Sequence, residues 1–292
     1  MKITILNKSL NQHGDKIISF LLEGFPYDIL AEFNKHRLFS ISCESSRARK
    51  FAAVLQQILY DPFVPLFTKN QPGMSGEPFE DQSRAEQHYL NCREFSIVQA
   101  KFMDKLGIHK QDLNGLLKPW MKVSQIVTTT HTDNFYRLRR GADAKPIFRE
   151  FADEMYALDQ RTEGKVLKYG QWHFPYPELS LRENVAKCGS ISYANHQKAA
   201  DKLKLIALHD KLLTSRHDVP FEHCAMAFYP GNNIRNSKGE ALQIFDHFKP
   251  LITLKTNSAL YPQVGVGNFT GFLQYRKFIE YDIPVANHCS NV

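Results

Sequence analysis

Little in this sequence is suited to covalent or metal crosslinking. The five cysteines, Cys43, Cys92, Cys188, Cys224 and Cys289, are odd in number, far apart and free of any Cys-x-x-Cys pair. That spacing signals neither a disulfide framework nor a cysteine-rich zinc site, and it suits a reducing compartment. Also missing is any apolar run near the roughly 20 residues that a bilayer-spanning helix needs. The opening "MKITILNKSLNQHGDK" turns polar too early for a signal peptide. No internal repeat, low-complexity tract or Pro/Ser linker divides the chain. These absences lead us to expect a soluble cytoplasmic protein folded as a single domain over residues 1–292.

What is present suits a packed core. Hydrophobic residues make up 43% and aromatics 12% of the 292 residues, enough buried surface to offset ordering entropy. Thirty-seven Lys and Arg against 30 Asp and Glu leave a net charge of +7 and a pI near 9.0. A moderate positive excess favours anionic partners: nucleotides, phosphorylated cofactors, nucleic acid or lipid headgroups.

The pattern alternates strand and helix signals. "MKITIL" and "KIISFLLEG" read as two strands joined by turn chemistry at Asn11, Gly14 and Asp15. "PYDILAEFNKHR" reads as a short helix that delivers His36 and Arg37 at its end. "SSRARKFAAVLQQILY" reads as a helix capped by Ser45 or Ser46, with Phe51, Val54, Leu55, Ile58 and Leu59 on one face. Residues 61–85, rich in Pro and Gly, read as an irregular excursion. "RAEQHYLNCREFSIVQAKFMDKLG" predicts a helix stopped by Gly107, and "DAKPIFREFADEMYALDQ" one with Phe148, Phe151, Ala152 and Met155 inward. "NHQKAADKLKLIALHDKLL" is a third, and "VSQIVTTTHTDNFYRLRR" is assigned to helix from its spacing. "RTEGKVLKYGQWHFPYPELS" and "YPGNNIRNSKGE" read as loops.

The densest chemistry lies in "KHRLFSISCESSRARK", residues 35–50. A serine cap with an arginine in the first helical turn can bind a phosphate, because unpaired N–H groups and the positive end of the helix dipole meet there. Ser45 and Arg47 satisfy that pattern, and His36 with Arg37 would place a second anion beside the first, as for a substrate and a cofactor. Arg47, Arg49 and Lys50 read equally as a solvated helix face, the ordinary fate of a charge run.

This stretch resembles the signature of the flavin-dependent thymidylate synthases: Arg-His-Arg, two variable residues, Ser, then Asn-Glu, then Ser, one variable residue and Arg. His36, Arg37, Ser40, Ser45 and Arg47 match in spacing; Lys35 replaces the first Arg, and Ser42 and Cys43 stand for Asn and Glu. "HDVPFEH", residues 217–223, resembles the family's His-x-Ser/Thr-Pro-x-Glu-His element, and "SISYANH" the Val-Ser-Tyr stretch preceding it. "TDNFYRLRRGADAKPIFREFA" resembles Asn-Phe-Leu-x-Leu-Arg and its following helix. The His-Pro-Glu-His element here follows the Arg-His-Arg signature instead of preceding it. That order resembles the circularly permuted viral, bacteriophage-type branch, as do "WHFPY" and "QYRK". Residues 61–105 and 229–268 fall outside the resemblance, the former as an expected insertion.

The resemblance implies an α+β fold with a mixed sheet, flanking helices and permuted element order. It implies a homotetramer with sites shared between subunits, in the host cytoplasm if the source is viral. It also implies FAD as cofactor, with NADPH and methylenetetrahydrofolate as co-substrates. The expected reaction transfers a one-carbon unit to C5 of a pyrimidine deoxynucleoside monophosphate, dUMP to dTMP. His36, Arg37, Asn134, His217 and Glu222 would hold the flavin; Glu32, Ser45 and Arg47 the nucleotide. Arg139 would face the pyrimidine as the catalytic residue, steadying negative charge on the ring. Cys43 invites a covalent alternative, but no base adjoins it in sequence except Glu44.

Departures gather on the nucleotide side. Gly115 replaces a phosphate-binding Arg, with Lys110 or Lys118 as a substitute; Glu32 replaces a Gln; Thr128 and Thr130 replace a flavin-side Asn and Arg; Val219 replaces the Ser/Thr. Glu32 or Glu44 as an acceptor for N4 of cytosine keeps dCMP methylation or hydroxymethylation open. Two other classes remain: a basic nucleic-acid-binding protein using the "WHFPYP" aromatics, and an inactive relative. His217, His223 and Cys224 lack the spacing of a metal site, and no metal is expected.

Overall fold

The computed structural model describes residues 1–73, 75–168, 170–193, 201–214, 227–228, 269 and 272–275. Strands β1 (Lys2–Leu10) and β2 (Lys16–Pro26) form an antiparallel hairpin, paired from Lys2↔Glu23 to Leu10↔Lys16. The turn chemistry does what the sequence implies. The Asn11 carboxamide oxygen accepts the N–H groups of His13 and Asp15, each at 2.9 Å, and Gly14 takes the left-handed conformation at φ 87° that a side chain would resist.

A 3-10 turn (Tyr27–Ile29) leads into α1 (Leu30–Phe33), then β3 (Ser40–Cys43), α2 (Phe51–Tyr60), α3 (Gln82–Lys105) and α4 (Lys110–Leu117). Strand β4 (Lys122–Thr129) follows, then α5 (Asp133–Arg139), α6 (Pro146–Arg161), β5 (Lys165–Val166), β6 (Trp172–His173) and α7 (Leu181–Ser190). The last described elements are α8 (Lys202–Thr214), β7 (Ala227–Phe228) and β8 (Leu273–Gln274). The main sheet has the order β3-β4-β2-β1-β5, antiparallel except for the parallel pair β1 and β5. The architecture is therefore α+β, a mixed sheet flanked by helices.

One sheet face carries Ile18, Phe20, Leu22, Val123 and Val127 against Phe33, Phe135, Phe148, Phe151, Ala152 and Met155 from α1, α5 and α6. The four inward positions expected of α6 are all buried. The opposite face packs Ile126 against Cys188 and Ile191, with Leu6, Leu21 and Tyr176 beside them. A separate cluster joins α2, α3 and α4 through Val54, Ile58, Ile97, Ala100, Leu117, Trp120 and Met121. Helix α3 ends as Gly107 implies: Gly107, at φ 77°, donates its N–H to Asp104, and Ile108 donates to Met103, a Schellman closure.

Several sequence expectations are corrected. "VSQIVTT" belongs to strand β4, not to a helix. It is paired on both edges and buried on both faces, so it lacks the alternation of a half-buried strand and its apolar spacing mimics a helix. "PYDILAEFNKHR" supplies one 3-10 turn and one α turn, because Pro26 still belongs to β2. Leu59 points outward, at 41% exposure. The expected loop 161–180 contains the short strands β5 and β6.

The serine cap is also corrected. Helix α2 begins at Phe51, with extended Lys50 before it and no side-chain cap. Residues 44–49 are held out of the helix instead. Buried Asn114 donates to the carbonyls of Ser46 (2.7 Å) and Arg49 (3.2 Å). Arg49 donates to the Lys122 carbonyl at 3.1 Å and pairs with Glu44 at 3.3 Å. Arg49 is thus a structural tether, whereas Arg47 and Lys50 are exposed. The remaining loop and helix assignments on residues 194–200 and 229–240 lie outside the described residues.

Candidate functional site

The main sheet brings together two residues separated by 103 positions. Arg139, the last residue of α5, donates its Nε–H to Nε2 of His36 at 3.0 Å. The guanidinium lies over the Phe148 ring, 4.6 Å from its centroid. Edge-on to Phe135 at 4.9 Å and 90°, the His36 ring is also held near Phe39 at 5.7 Å. An aromatic floor thus fixes both groups. Burial first, and then the Arg139 charge, push the His36 pKa down to about 4. The imidazole is neutral near pH 7. Since Nε2 accepts, the ring proton belongs on Nδ1. Among the described residues no group accepts from the two terminal nitrogens of Arg139, whose guanidinium is held in a fixed plane by His36 and Phe148.

The other expected residues divide into three groups. Arg37, next to His36 in the chain, and Asn134, in the first turn of α5, are exposed, and the Asn134 carboxamide oxygen accepts from Arg137 at 3.1 Å. Glu32, half-buried on α1, precedes His36 by one turn and has no described side-chain partner. Ser45 and Arg47 stand elsewhere: β3 runs from the His36 end to the Ser45 end, a separation of about 13 Å for four extended residues. Ser45 donates its N–H to the Ser192 carbonyl at 3.1 Å, and Arg47 is exposed. His217 and Glu222 lie outside the described residues.

The departures from the family pattern have defined surroundings. Thr128 is fully buried and its hydroxyl lies 2.6 Å from that of Ser19, so this position is sealed from any ligand. Thr130 touches His131 Nδ1 at 2.8 Å. A Cβ on Gly115 would meet no atom within 4 Å, so α4 has open space where an arginine is usual. Lys118 sits over the Tyr27 ring at 5.4 Å and lines a cavity of about 410 Å³ with Asp28, Ala31 and Asn34. Burial foremost, then Glu44, pushes the Cys43 thiol up to about 12. A thiol held protonated is poorly suited to nucleophilic attack. Glu44 accepts from the Ser124 N–H at 3.1 Å and pairs with Arg49; burial still raises its carboxyl above the usual range.

Two features have no counterpart in the sequence reading. A buried polar row crosses the second sheet face. Ser9 and Ser19 hold the two nitrogens of His173 at 2.9 Å each, Ser19 touches Thr128, and Gln274 donates to Ser40 at 3.0 Å. Gln125 is fully buried, with neither carboxamide atom partnered among the described residues. Spacing signals neither feature, because each is made by strands distant in sequence. The contact of His36 with Phe135 was hidden for the same reason. Among the described residues no three His, Cys, Asp or Glu side chains gather as a metal site, and no helix is long and apolar enough to cross a membrane.

No protein-family model and no curated protein matches the sequence. Solved structures similar to parts of the chain include a flavin-dependent thymidylate synthase from Helicobacter pylori complexed with FAD and dUMP. That match has 15% identity and a TM-score of 0.34, over 49% of this chain and 67% of that one. Two structures of a UMP/dUMP methylase from Streptomyces cacaoi are also similar. The form bound with 5-Br dUMP gives 16% identity and a TM-score of 0.39, over 49% of this chain and 64% of that one. The form bound with 5-Br UMP gives 13% and 0.39, over 53% and 87%.

Proposed function

We propose that this chain is an FAD-dependent enzyme that transfers a one-carbon unit from methylenetetrahydrofolate to C5 of a pyrimidine deoxynucleoside monophosphate, converting dUMP to dTMP with NADPH as reductant. The observation that carries this reading is the 3.0 Å contact between His36 and Arg139. Each comes from a different motif of the resemblance, and the fold closes the 103 residues between them. Chance matches scattered along a chain have no reason to meet.

The chemistry follows from the fixed guanidinium. C5 of a pyrimidine becomes nucleophilic only when negative charge pushed into the ring is stabilised, and Arg139 carries two further N–H-bearing nitrogens, without a partner among the described residues, for a base oxygen or N3. Neutral His36 orients that guanidinium without repelling it. No protein nucleophile is needed, consistent with the protonated Cys43. Exposed Arg37 and Asn134 and half-buried His36 would hold a flavin with His217 and Glu222; bound in reduced form, it would supply hydride. Ser45 and Arg47 would grip the phosphate. Their placement at the far end of β3 suits a site completed by a second subunit, as in the expected homotetramer.

A second reading, dCMP as substrate, is favoured by one observation: Glu32 is a half-buried carboxylate with no described partner, four residues before His36. It would accept from the cytosine N4 amine. The same experiment tests both. The purified protein should be yellow, and incubation with dUMP or dCMP, methylenetetrahydrofolate and NADPH should give a heavier nucleotide by mass spectrometry. A colourless protein whose nucleic-acid affinity falls steeply with salt would instead be a nucleic-acid binder.

A further inference from the structure

Helix α3 has two apolar faces. At about 100° per residue, Ile97 and Ala100 turn into the cluster with Val54, Leu117 and Trp120. Phe95, Val98, Phe102 and Leu106 fall on the opposite side, 67%, 48%, 59% and 77% exposed. A solvated helix of a globular protein normally shows charge there. All but Leu106 belong to residues 61–105, which lie outside the family resemblance and outside the candidate site.

We infer that this stripe is an interface between two copies of the chain, with the α3 helices antiparallel about a two-fold axis near Val98 and Gln99. Self-complementarity favours this occupant. Such an axis sets Phe95 against the partner's Phe102 and, by symmetry, Phe102 against the partner's Phe95. Charge selects the direction. Glu94, Lys101 and Lys105 follow one flank of the stripe, and an antiparallel pair brings like flanks together. Glu94 then stands within about 3 Å, along the axis, of the level of the partner's Lys101 and the partner's Lys105. A parallel pair would face this flank with Cys92, Gln99 and Met103, which carry no charge. Glu94 now pairs with neighbouring Arg93 at the surface, a contact cheap to rearrange. Phe95 and Phe102, 67% and 59% exposed, offer roughly 250 Å² of apolar side chain at about 200 Å² for a whole phenylalanine, and Val98 and Leu106 add to it. That is a fit core for an interface needing about 800 Å² per partner, with the Glu and Lys stems as its rim.

Sedimentation equilibrium of the full chain tests this independently of flavin binding and turnover, since no stripe residue belongs to the candidate site. Phe95→Glu with Phe102→Glu should raise the dissociation constant of the α3-mediated pair more than tenfold. Lys101→Glu with Lys105→Glu should weaken it as well, and adding Glu94→Lys to that background should restore it, which rescue from a folding defect would not explain. Unchanged mass in the phenylalanine variant, a monomeric wild type, or no recovery in the charge-reversed triple variant overturns the assignment.

Discussion

Acidification should destabilise this fold through one histidine in particular. His173 is fully buried, its two ring nitrogens held by Ser9 and Ser19 at 2.9 Å. Burial pushes its pKa from 6.5 down to about 3. The folded protein therefore keeps His173 neutral, while the unfolded chain takes up a proton below about pH 6.5. Because the folded value is depressed, the associated stability is intact above that pH and is lost as pH falls towards 3. At about pH 4.5, two units into that window, the loss is on the order of 3 kcal/mol. That is a large share of the 5 to 15 kcal/mol typical of a domain. Urea denaturation of the wild type and His173→Gln at about pH 7 and about pH 4.5 measures it. The variant should be weaker at pH 7 through its lost hydrogen bonds, by about 1 to 3 kcal/mol. Its further loss on acidification should be smaller than that of the wild type by roughly 3 kcal/mol. His36 titrates in the same direction, towards about 4, but it does so in both proteins and cancels in the difference. Parallel losses in the two proteins would refute the reasoning.

Arg139→Ala should abolish turnover while the protein stays yellow; wild-type activity in that variant would remove Arg139 from the chemistry. Arg47→Ala should weaken nucleotide binding by about 1.5 to 3 kcal/mol, the value of a charge-assisted contact, and calorimetry showing unchanged affinity would reject the phosphate assignment. Asp159 is fully buried between Lys8 (2.9 Å) and Lys16 (2.5 Å) and meets the Tyr136 hydroxyl at 3.2 Å. Burial alone would raise its carboxyl, but hydrogen bonds and charge from the two ammonium groups together hold it below the usual range. Asp159→Ala should cost about 3 to 5 kcal/mol in denaturant unfolding, since it leaves two lysines without their counterion; a loss under about 1 kcal/mol would contradict the packing.

Local signals were legible where a residue acts on its neighbours. Asn11 and Gly14 marked the hairpin, Gly107 the end of α3, and the Phe148 to Met155 spacing the buried face of α6, because turn geometry and helical periodicity are set within a few residues. They failed at β4, whose double-sided burial erases alternation, and at Ser45. There the N-cap expectation was overruled by Asn114, which lies 65 or more positions away and takes the carbonyls the turn presents.

The sequence by itself determined which residue types were available for anion chemistry and how the basic-serine stretch is spaced. Tertiary structure alone decided that His36 is neutral, that Arg139 lies against it, that Thr128 is sealed and that Ser45 stands at the far end of an edge strand. The reason is physical: pKa, burial and cross-strand contact depend on what surrounds a side chain in space, and in a sheet ordered β3-β4-β2-β1-β5 those surroundings come from segments far apart in the chain.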